Sequence, residues 1–147
     1  MSASERIQQD VKTAMRSRDK PRLGALRMLG AALKNGEIEA GRPLEEQEEQ
    51  TILRRQLKQR EESAEAFRNA GREDQAAAEA AEAAVVRDYL PQPLSSEELE
   101  KIVDTAIQET GATGMREMGR VMGRATQLSE GRAEGRELSA LVKQRLQ

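Results

Sequence analysis

The sequence predicts an all-helical (all-α) protein, and three observations support this. Apolar residues recur at every third or fourth position along the 147-residue chain, as on the buried face of a helix. The first half contains no alternating strand pattern. Pro91 and Pro93 interrupt the helical pattern, because proline lacks an amide donor and pushes the preceding residue out of the α region. We therefore expect an N-terminal helical subdomain with long hairpin helices (1–90), a proline hinge (91–95) and a small C-terminal three-helix subdomain (96–147).

The N-terminal subdomain is expected to begin with two helices. Ser4 can cap the first, which ends near Asp19, and Pro21 opens the second because its fixed φ suits a first helical turn. Gly36 ends the second helix, or the helix continues for one further turn. Their apolar faces are Ile7, Val11 and Met15 in the first helix and Leu23, Leu26, Leu29 or Gly30, and Leu33 in the second.

A third, longest helix follows the break at Gly41 and Pro43. Its acidic start at 45–49 suits the partly positive amides of a first turn, and Gly71 stops it after about Ala70. Its buried side is expected to be Ile52, Leu53, Leu57, Ala64 and Phe67. The fourth helix, 73–90, is alanine-rich and therefore anchored mainly near its end by Val85, Val86, Tyr89 and Leu90.

Three shorter helices follow the prolines. Ser95 and Glu98 have the spacing of a capping box for the fifth helix, which ends at Gly111. Thr113 can cap a sixth helix, and the glycine-containing segment 129–135 is a turn before the last helix. The apolar faces are Leu99, Ile102, Val103, Ala106 and Ile107, then Met115, Met118, Val121 and Met122, then Leu138, Leu141, Val142 and Leu146.

The composition restricts the chemistry. Cysteine and histidine are both absent, which excludes a zinc site, a cysteine nucleophile and a histidine general base. No metal and no cofactor are expected. No stretch approaches the ~20 apolar residues of a membrane span, so we expect a cytoplasmic protein with no membrane partner.

The net charge of -2 conceals basic segments near both ends. Residues 1–36 carry eight bases and three acids, whereas 37–94 carry eight bases and fourteen acids. Within the last region, 111–147 carries seven bases and four acids. Basic surfaces can bind nucleic-acid phosphates, although a merely solvated helix face has the same composition.

The C-terminal segment supplies the candidate binding residues. Arginines at four-residue steps are expected to form a ridge along the sixth helix, and further bases flank the next turn and follow on the last helix. We predict that nucleic-acid phosphates are bound by Arg116, Arg120, Arg124, Arg132, Arg136 and Lys143. The turn 131–135 before a helix can bind an anion, but two glycines also suit a simple tight turn.

Catalytic alternatives have little support in the sequence. Ser63 has no neutral base nearby to activate it, and neither a P-loop nor a Rossmann glycine pattern is present. Phe67 and Tyr89 are the only aromatic residues and occupy apolar-face positions, which favours core packing over base stacking.

Several blocks, in the same order along nearly the whole chain, resemble the YqeY-like family. They are residues 58–63 (KQREES), Phe67, Ala70-Gly71-Arg72 and Asp74, Glu79 and Glu82, Tyr89-Leu90-Pro91, Leu94-Ser95, Glu98-Leu99, Gly111-Ala112, residues 118–122 (MGRVM), and residues 131–135 (GRAEG) leading to Leu141-Val142-Lys143. From about Ser95 the chain also resembles the tail of the GatB subunit of tRNA-dependent amidotransferase. Two positions depart from the family pattern: Glu130 replaces a usual lysine, and Gln75 replaces a usual leucine.

The resemblance implies a two-subdomain helical protein with a role in translation. Its function is expected to be that of a tRNA-binding accessory module without catalysis of its own. One alternative is a component with carbon-nitrogen ligase activity that uses glutamine as amido-N-donor, a description that the resemblance carries over from the multisubunit enzyme. The other is an interaction adaptor for an aminoacyl-tRNA synthetase or for amidotransferase subunits.

Overall fold

The computed structural model describes all 147 residues and confirms the all-helical fold. The chain divides into two compact units, Met1–Leu90 and Pro91–Gln147. The helices are α1 (Ala3–Ser17), α2 (Lys20–Ala40), α3 (Glu46–Asn69), α4 (Glu73–Arg87), α5 (Ser96–Thr110), α6 (Met118–Ser129) and α7 (Gly135–Leu146), with a short 3₁₀ turn at Met115–Glu117 before α6.

The start of α1 corrects the predicted cap. Ser2, not Ser4, is the N-cap, and its hydroxyl accepts a hydrogen bond from the Glu5 amide at 3.1 Å. The amides of Ala3 and Ser4 donate instead to the buried Glu49 carboxylate on α3, at 3.2 and 3.0 Å. A helix start needs several acceptors for its free amides, and a distant carboxylate supplies two of them here.

The buried face of α1 also differs from the prediction. Met15 was expected on the apolar face, but it is 53% exposed, and Ala14 is buried in its place. Ala14 lies two turns after Ile7 and so remains on the same face, whereas Met15 lies at its edge.

Gly36 does not end α2, which continues to Ala40 and ends at Gly41 with a φ of 68°. The glycine at position 36 lies close to α3: a Cβ there would lie 2.5 Å from Cδ1 of Ile52, so the end of that side chain would have to shift. Of the two predicted ends of α2, the one with a further turn after Gly36 is therefore correct.

The core of the first unit joins α1 and α2 to the α3–α4 hairpin. Its buried residues are Ile7, Ala14, Leu26, Leu29, Leu33, Leu53, Val86 and Tyr89. Phe67 is only partly buried and does not belong to this cluster, because the opposite part of α4 offers small alanines such as Ala76. The helix α4 ends at Arg87, and 88–90 continue as a turn that still carries the buried Tyr89.

The second unit is a bundle of α5, α6 and α7 with its own core. Ser95 caps α5 as predicted, and Gly111 ends it with a φ of 67°. Thr113 does not cap α6: the 3₁₀ turn intervenes, and the Thr113 hydroxyl contacts Glu117 at 3.4 Å. The buried core residues are Leu99, Val103, Ala106, Ala112, Val121, Ala125, Leu138, Val142 and Leu146.

No helix of the structure combines the length and the apolar character that a membrane span needs.

Candidate nucleic-acid interface

The six predicted binding residues all lie at least partly exposed on the second unit. Only Arg120 and Arg124 belong to α6. Arg116 lies on the 3₁₀ turn before it, so the three arginines do not follow one continuous helix ridge. Arg132 lies in the α6–α7 turn, and α7 carries Arg136 and Lys143.

The outer face of α6 contains two glycines and therefore exposes its backbone. Gly119 and Gly123 are exposed, one turn apart, and a Cβ at either position would meet nothing within 4 Å. Packing therefore does not require glycine there, although glycine inside a helix costs about 1 kcal/mol relative to alanine. The result is an open stretch of backbone beside Arg120, whose side chain is 64% exposed and which a ligand can approach closely.

The two α6 arginines are held by groups at the end of α5 and in the 3₁₀ turn. Arg120 donates to the Glu117 carboxylate at 3.0 Å and to the Thr110 carbonyl at 3.2 Å. Arg124 donates to the Glu109 carboxylate, and this hydrogen bond holds the pKa of Glu109 below its usual range. Both charges are thus partly neutralised by neighbouring acids.

Arg132 is directed to the other end of α5. Its Nε donates to the Gln92 carbonyl at 2.8 Å, and its Nη2 lies 3.4 Å from the Glu98 carboxylate. Since Glu98 and Glu109 are eleven residues apart on α5, the partners of Arg132 and Arg124 lie about 16 Å apart along the helix. These two arginines therefore do not form one compact cluster.

Three of the predicted cations have no ion pair. Arg116, Arg136 and Lys143 are exposed and make no side-chain hydrogen bond or salt bridge. Arg136 and Lys143 are seven residues apart and so share one face of α7, about 10 Å from each other along the axis. These three cationic side chains are therefore accessible to a ligand.

The 131–135 turn has a structural explanation. Glu130 and Gly131 both have positive φ, at 50° and 76°. The carbonyl of Arg132 accepts from the Leu94 amide at 3.1 Å, which ties the turn to the segment after the prolines. The carboxylate-bearing Glu134 is the N-cap of α7. A negative group at this position disfavours a second anion, so this turn is a poor phosphate site.

The other residues considered for chemistry lie in the first unit. The Ser63 hydroxyl makes no hydrogen bond, so no base activates it. Tyr89 is 5% exposed and its hydroxyl donates to Asp10; burial, followed by this hydrogen bond, raises the pKa of Tyr89. Arg6 covers its ring at 5.0 Å from the centroid. The Tyr89 ring is therefore a core residue and not a stacking platform. No cluster of three metal-ligating side chains is present.

Two features of the basic surfaces were not predicted from the sequence. The exposed glycines of α6 are not among the predicted binding features, although two glycines four residues apart inside a predicted helix are a signal in the sequence. Residues 1–36 are rich in bases, yet the six predicted binding residues all lie in the second unit.

These features define a small all-helical protein of two units, each with its own core and with exposed cations. The chain belongs to the Yqey-like protein family, whose sequence profile matches residues 4–146. It is 33% identical over 130 residues to "Altered inheritance of mitochondria protein 41, mitochondrial" of Pyrenophora tritici-repentis, covering 87% of this chain and 71% of the fungal protein.

A second relative shares a shorter region. The chain is 43% identical over 58 residues to the E subunit of glutamyl-tRNA(Gln) amidotransferase from Thermococcus gammatolerans. This match covers 37% of the chain and only 9% of the archaeal protein. The amidotransferase relationship was expected with the GatB tail, and it is found here with the E subunit, as a distant and partial similarity.

Proposed function

We propose that this protein binds tRNA as an accessory module without catalysis of its own, and that it acts in the cytoplasm. The observation that carries the proposal is the set of unpaired, exposed cations Arg116, Arg136 and Lys143 on the second unit. Cations without internal partners can bind phosphate oxygens without first breaking an ion pair. The amidotransferase relative is named after a tRNA, and this supports tRNA as the proposed ligand.

The contacts in this proposal are made to the sugar-phosphate backbone. The three cations lie on exposed helix and turn surfaces, with no exposed aromatic ring beside them to stack on a base. The exposed backbone at Gly119 and Gly123 adds room for a ribose-phosphate chain to lie close to α6. Recognition would therefore depend on shape and charge more than on base sequence.

Binding of labelled tRNA, measured at several salt concentrations, tests the proposal. Neutralising the unpaired set (Arg116→Gln, Arg136→Gln and Lys143→Gln) is expected to reduce the slope of log K against log salt by about 2 to 3. The matched control neutralises three paired arginines of the same unit, Arg124→Gln, Arg132→Gln and Arg145→Gln, and should reduce it less. No binding by the wild-type protein at low salt would contradict the proposal.

An adaptor function is a second candidate, favoured by the surface of α4. Five alanines of this helix are exposed: Ala77, Ala78, Ala80, Ala81 and Ala84. A smooth helix face of small residues allows close approach of a partner helix, such as one from an aminoacyl-tRNA synthetase or from an amidotransferase. Ala81→Lys should abolish co-elution with such a partner and leave tRNA affinity unchanged.

The enzymatic alternative, a carbon-nitrogen ligase component using glutamine as amido-N-donor, is tested separately. Glutamine hydrolysis by the purified protein, measured as ammonia release, would favour it over the accessory module.

A further inference from the structure

The first unit carries a second group of unpaired cations, on the α1–α2 hairpin. Residues 11–36 contain seven lysines and arginines but only one acid, Asp19. Five of these bases are exposed and make no side-chain hydrogen bond or ion pair. We call them the hairpin cations: Lys12, Arg16, Arg18, Lys20 and Arg27.

Several arginines elsewhere in the unit contrast with this group because they bind acids. Arg42 pairs with Glu48 at 2.7 Å, and Arg87 pairs with Glu61 at 3.1 Å. Asp19, the one acid among the hairpin cations, uses its carboxylate to cap α2 by accepting from the Arg22 amide at 3.2 Å. The hairpin cations therefore form no ion pair and outnumber this one acid by five to one.

The helix register places these cations on the solvent side of the hairpin. Lys12 and Arg16 are four residues apart and occupy the face of α1 opposite the buried Ile7 and Ala14. On α2, Lys20 and Arg27 are seven residues apart and share the exposed face.

Arg18 lies between the cationic face of α1 and that of α2. It lies in the turn with a φ of 58°, a left-handed conformation that a non-glycine residue adopts at some cost. Lys12 is six residues from this turn, about 9 Å along the helix axis. The four cations from Lys12 to Lys20 therefore lie close to one end of the hairpin.

A glycine again lies within the cationic face. Gly24 is exposed between Lys20 and Arg27 on α2, and a Cβ there would meet nothing within 4 Å. Packing does not explain this glycine. As on α6, its effect is to expose helix backbone where a bulky ligand would approach.

The spread of charge indicates the kind of ligand. The hairpin cations cover two neighbouring helices and about 10 Å of their length, which is too wide for one small anion and suits a chain of repeating phosphates. A membrane surface fits less well, because binding in a bilayer interface needs an exposed apolar helix face. Here most apolar residues of α1 and α2 are buried in the core, and Met15 and Ile38 are the exposed large apolar side chains of these two helices.

We infer that the hairpin cations form a second contact surface for the sugar-phosphate backbone of RNA, so that each unit of the protein contributes to tRNA binding. This inference rests on the proposed function, because it assigns a further part of the same ligand to the first unit.

Neutralising three hairpin cations in the full chain (Lys12→Gln, Arg16→Gln and Lys20→Gln) tests the inference, with fluorescently labelled total tRNA as the probe. The salt slope is expected to fall by about 2 to 3. The matched control is Arg55→Gln, Lys58→Gln and Arg68→Gln, which removes three exposed bases from α3, a helix that also carries six glutamates. Arg16 and Arg68 each lie in the last turn of a helix, so the helix-end effects are matched. Circular dichroism should show unchanged helicity in both variants.

The possible results separate this inference from the proposed function. If wild-type protein binds tRNA and the hairpin variant keeps the wild-type affinity and slope, the inference is wrong and the proposed function remains. If the wild-type protein does not bind tRNA, both fail. An equal loss in the α3 control would show a general charge effect and overturn the inference. Vesicles of phosphatidylcholine and phosphatidylserine test a membrane as the alternative ligand. If the hairpin variant loses vesicle binding but keeps tRNA binding, the surface binds a membrane and the inference is wrong.

Discussion

Two regions of the molecule, the α1–α2 hairpin of the first unit and the α5–α6 side of the second unit, differ in how far their positive charge is paired with acids. In the second unit, acids of α5 and of the 3₁₀ turn bind Arg120, Arg124 and Arg132, and only part of the basic residues stays accessible. On the α1–α2 hairpin, the five hairpin cations make no ion pair, whereas Arg22 and Lys34 of the same hairpin pair with Asp88 and Glu37. The comparison shows that accessible charge depends on the packing of neighbouring helices and cannot be read from a count of bases.

The two cores also differ in the size of their side chains. Four leucines dominate the first unit, whereas valine and alanine are common in the second. Leu26→Ala, at a fully buried position, should cost about 2 to 5 kcal/mol of unfolding free energy. Val121→Ala, also fully buried, removes two carbon atoms where Leu26→Ala removes three, and should cost less, about 1 to 3 kcal/mol. Urea unfolding followed by amide exchange in each unit measures both, and equal losses would contradict the comparison.

The exposed glycines offer the next largest effect. Gly24→Ala, Gly119→Ala and Gly123→Ala should each stabilise the protein by up to about 1 kcal/mol, because alanine is the better helix former and the added Cβ meets no neighbour. The same changes should weaken tRNA binding if the bare backbone is a contact. Thermal unfolding and tRNA titration on the same variants separate the two effects. Gly36→Ala is the contrasting variant: its Cβ would require the end of the Ile52 side chain to move, so it should stabilise less than the other three.

Removing an acid tests whether ion pairing limits the accessible positive charge of the second unit. Glu109→Gln should free Arg124 for phosphate, so the salt slope for tRNA should rise by up to about 1. The control Glu61→Gln frees Arg87 on the first unit, outside both proposed surfaces, and should leave the slope unchanged. A slope that does not respond to Glu109→Gln would show that Arg124 faces no phosphate in the complex.

The smallest expected effect concerns pH and the start of α3. Hydrogen bonds from the Arg42 side chain and then from the Glu45 amide lower the pKa of Glu48 to about 2. Because the folded pKa is below the ordinary value of 4.5, this contribution to stability is present above about pH 4.5 and is lost as the pH falls through 2. Glu48→Gln should lower the Tm slightly at pH 7 and match the wild type near pH 2. A Tm difference that is independent of pH would contradict this.

Much of the fold could be predicted because it depends on local rules. The Ser95 cap, the left-handed Gly71 and Gly111 and the apolar periods are all written in neighbouring residues. That Ser2 and not Ser4 is the N-cap of α1 could not be predicted, because the Ser4 amide donates to Glu49, which lies on a helix distant in the sequence. The close approach at Gly36 similarly depends on Ile52.

The candidate site was predictable in its residue types but not in its electrostatics. The arginine spacing indicated a basic surface, yet which of its members are neutralised is set by the packing of α6 and of the following turn against α5. Arg124 and Glu109 are fifteen residues apart in the chain, and Arg132 and Glu98 are thirty-four apart. Such pairs exist only once the bundle has formed.

The salt dependence of tRNA binding tests the central claim most directly. We expect log K for the wild-type protein to fall linearly with log salt, and the six substitutions at Arg116, Arg136, Lys143, Lys12, Arg16 and Lys20 together to flatten the line by about 4 to 5. Affinity that is absent at low salt, or equally salt-dependent in the six-fold variant, would contradict the account.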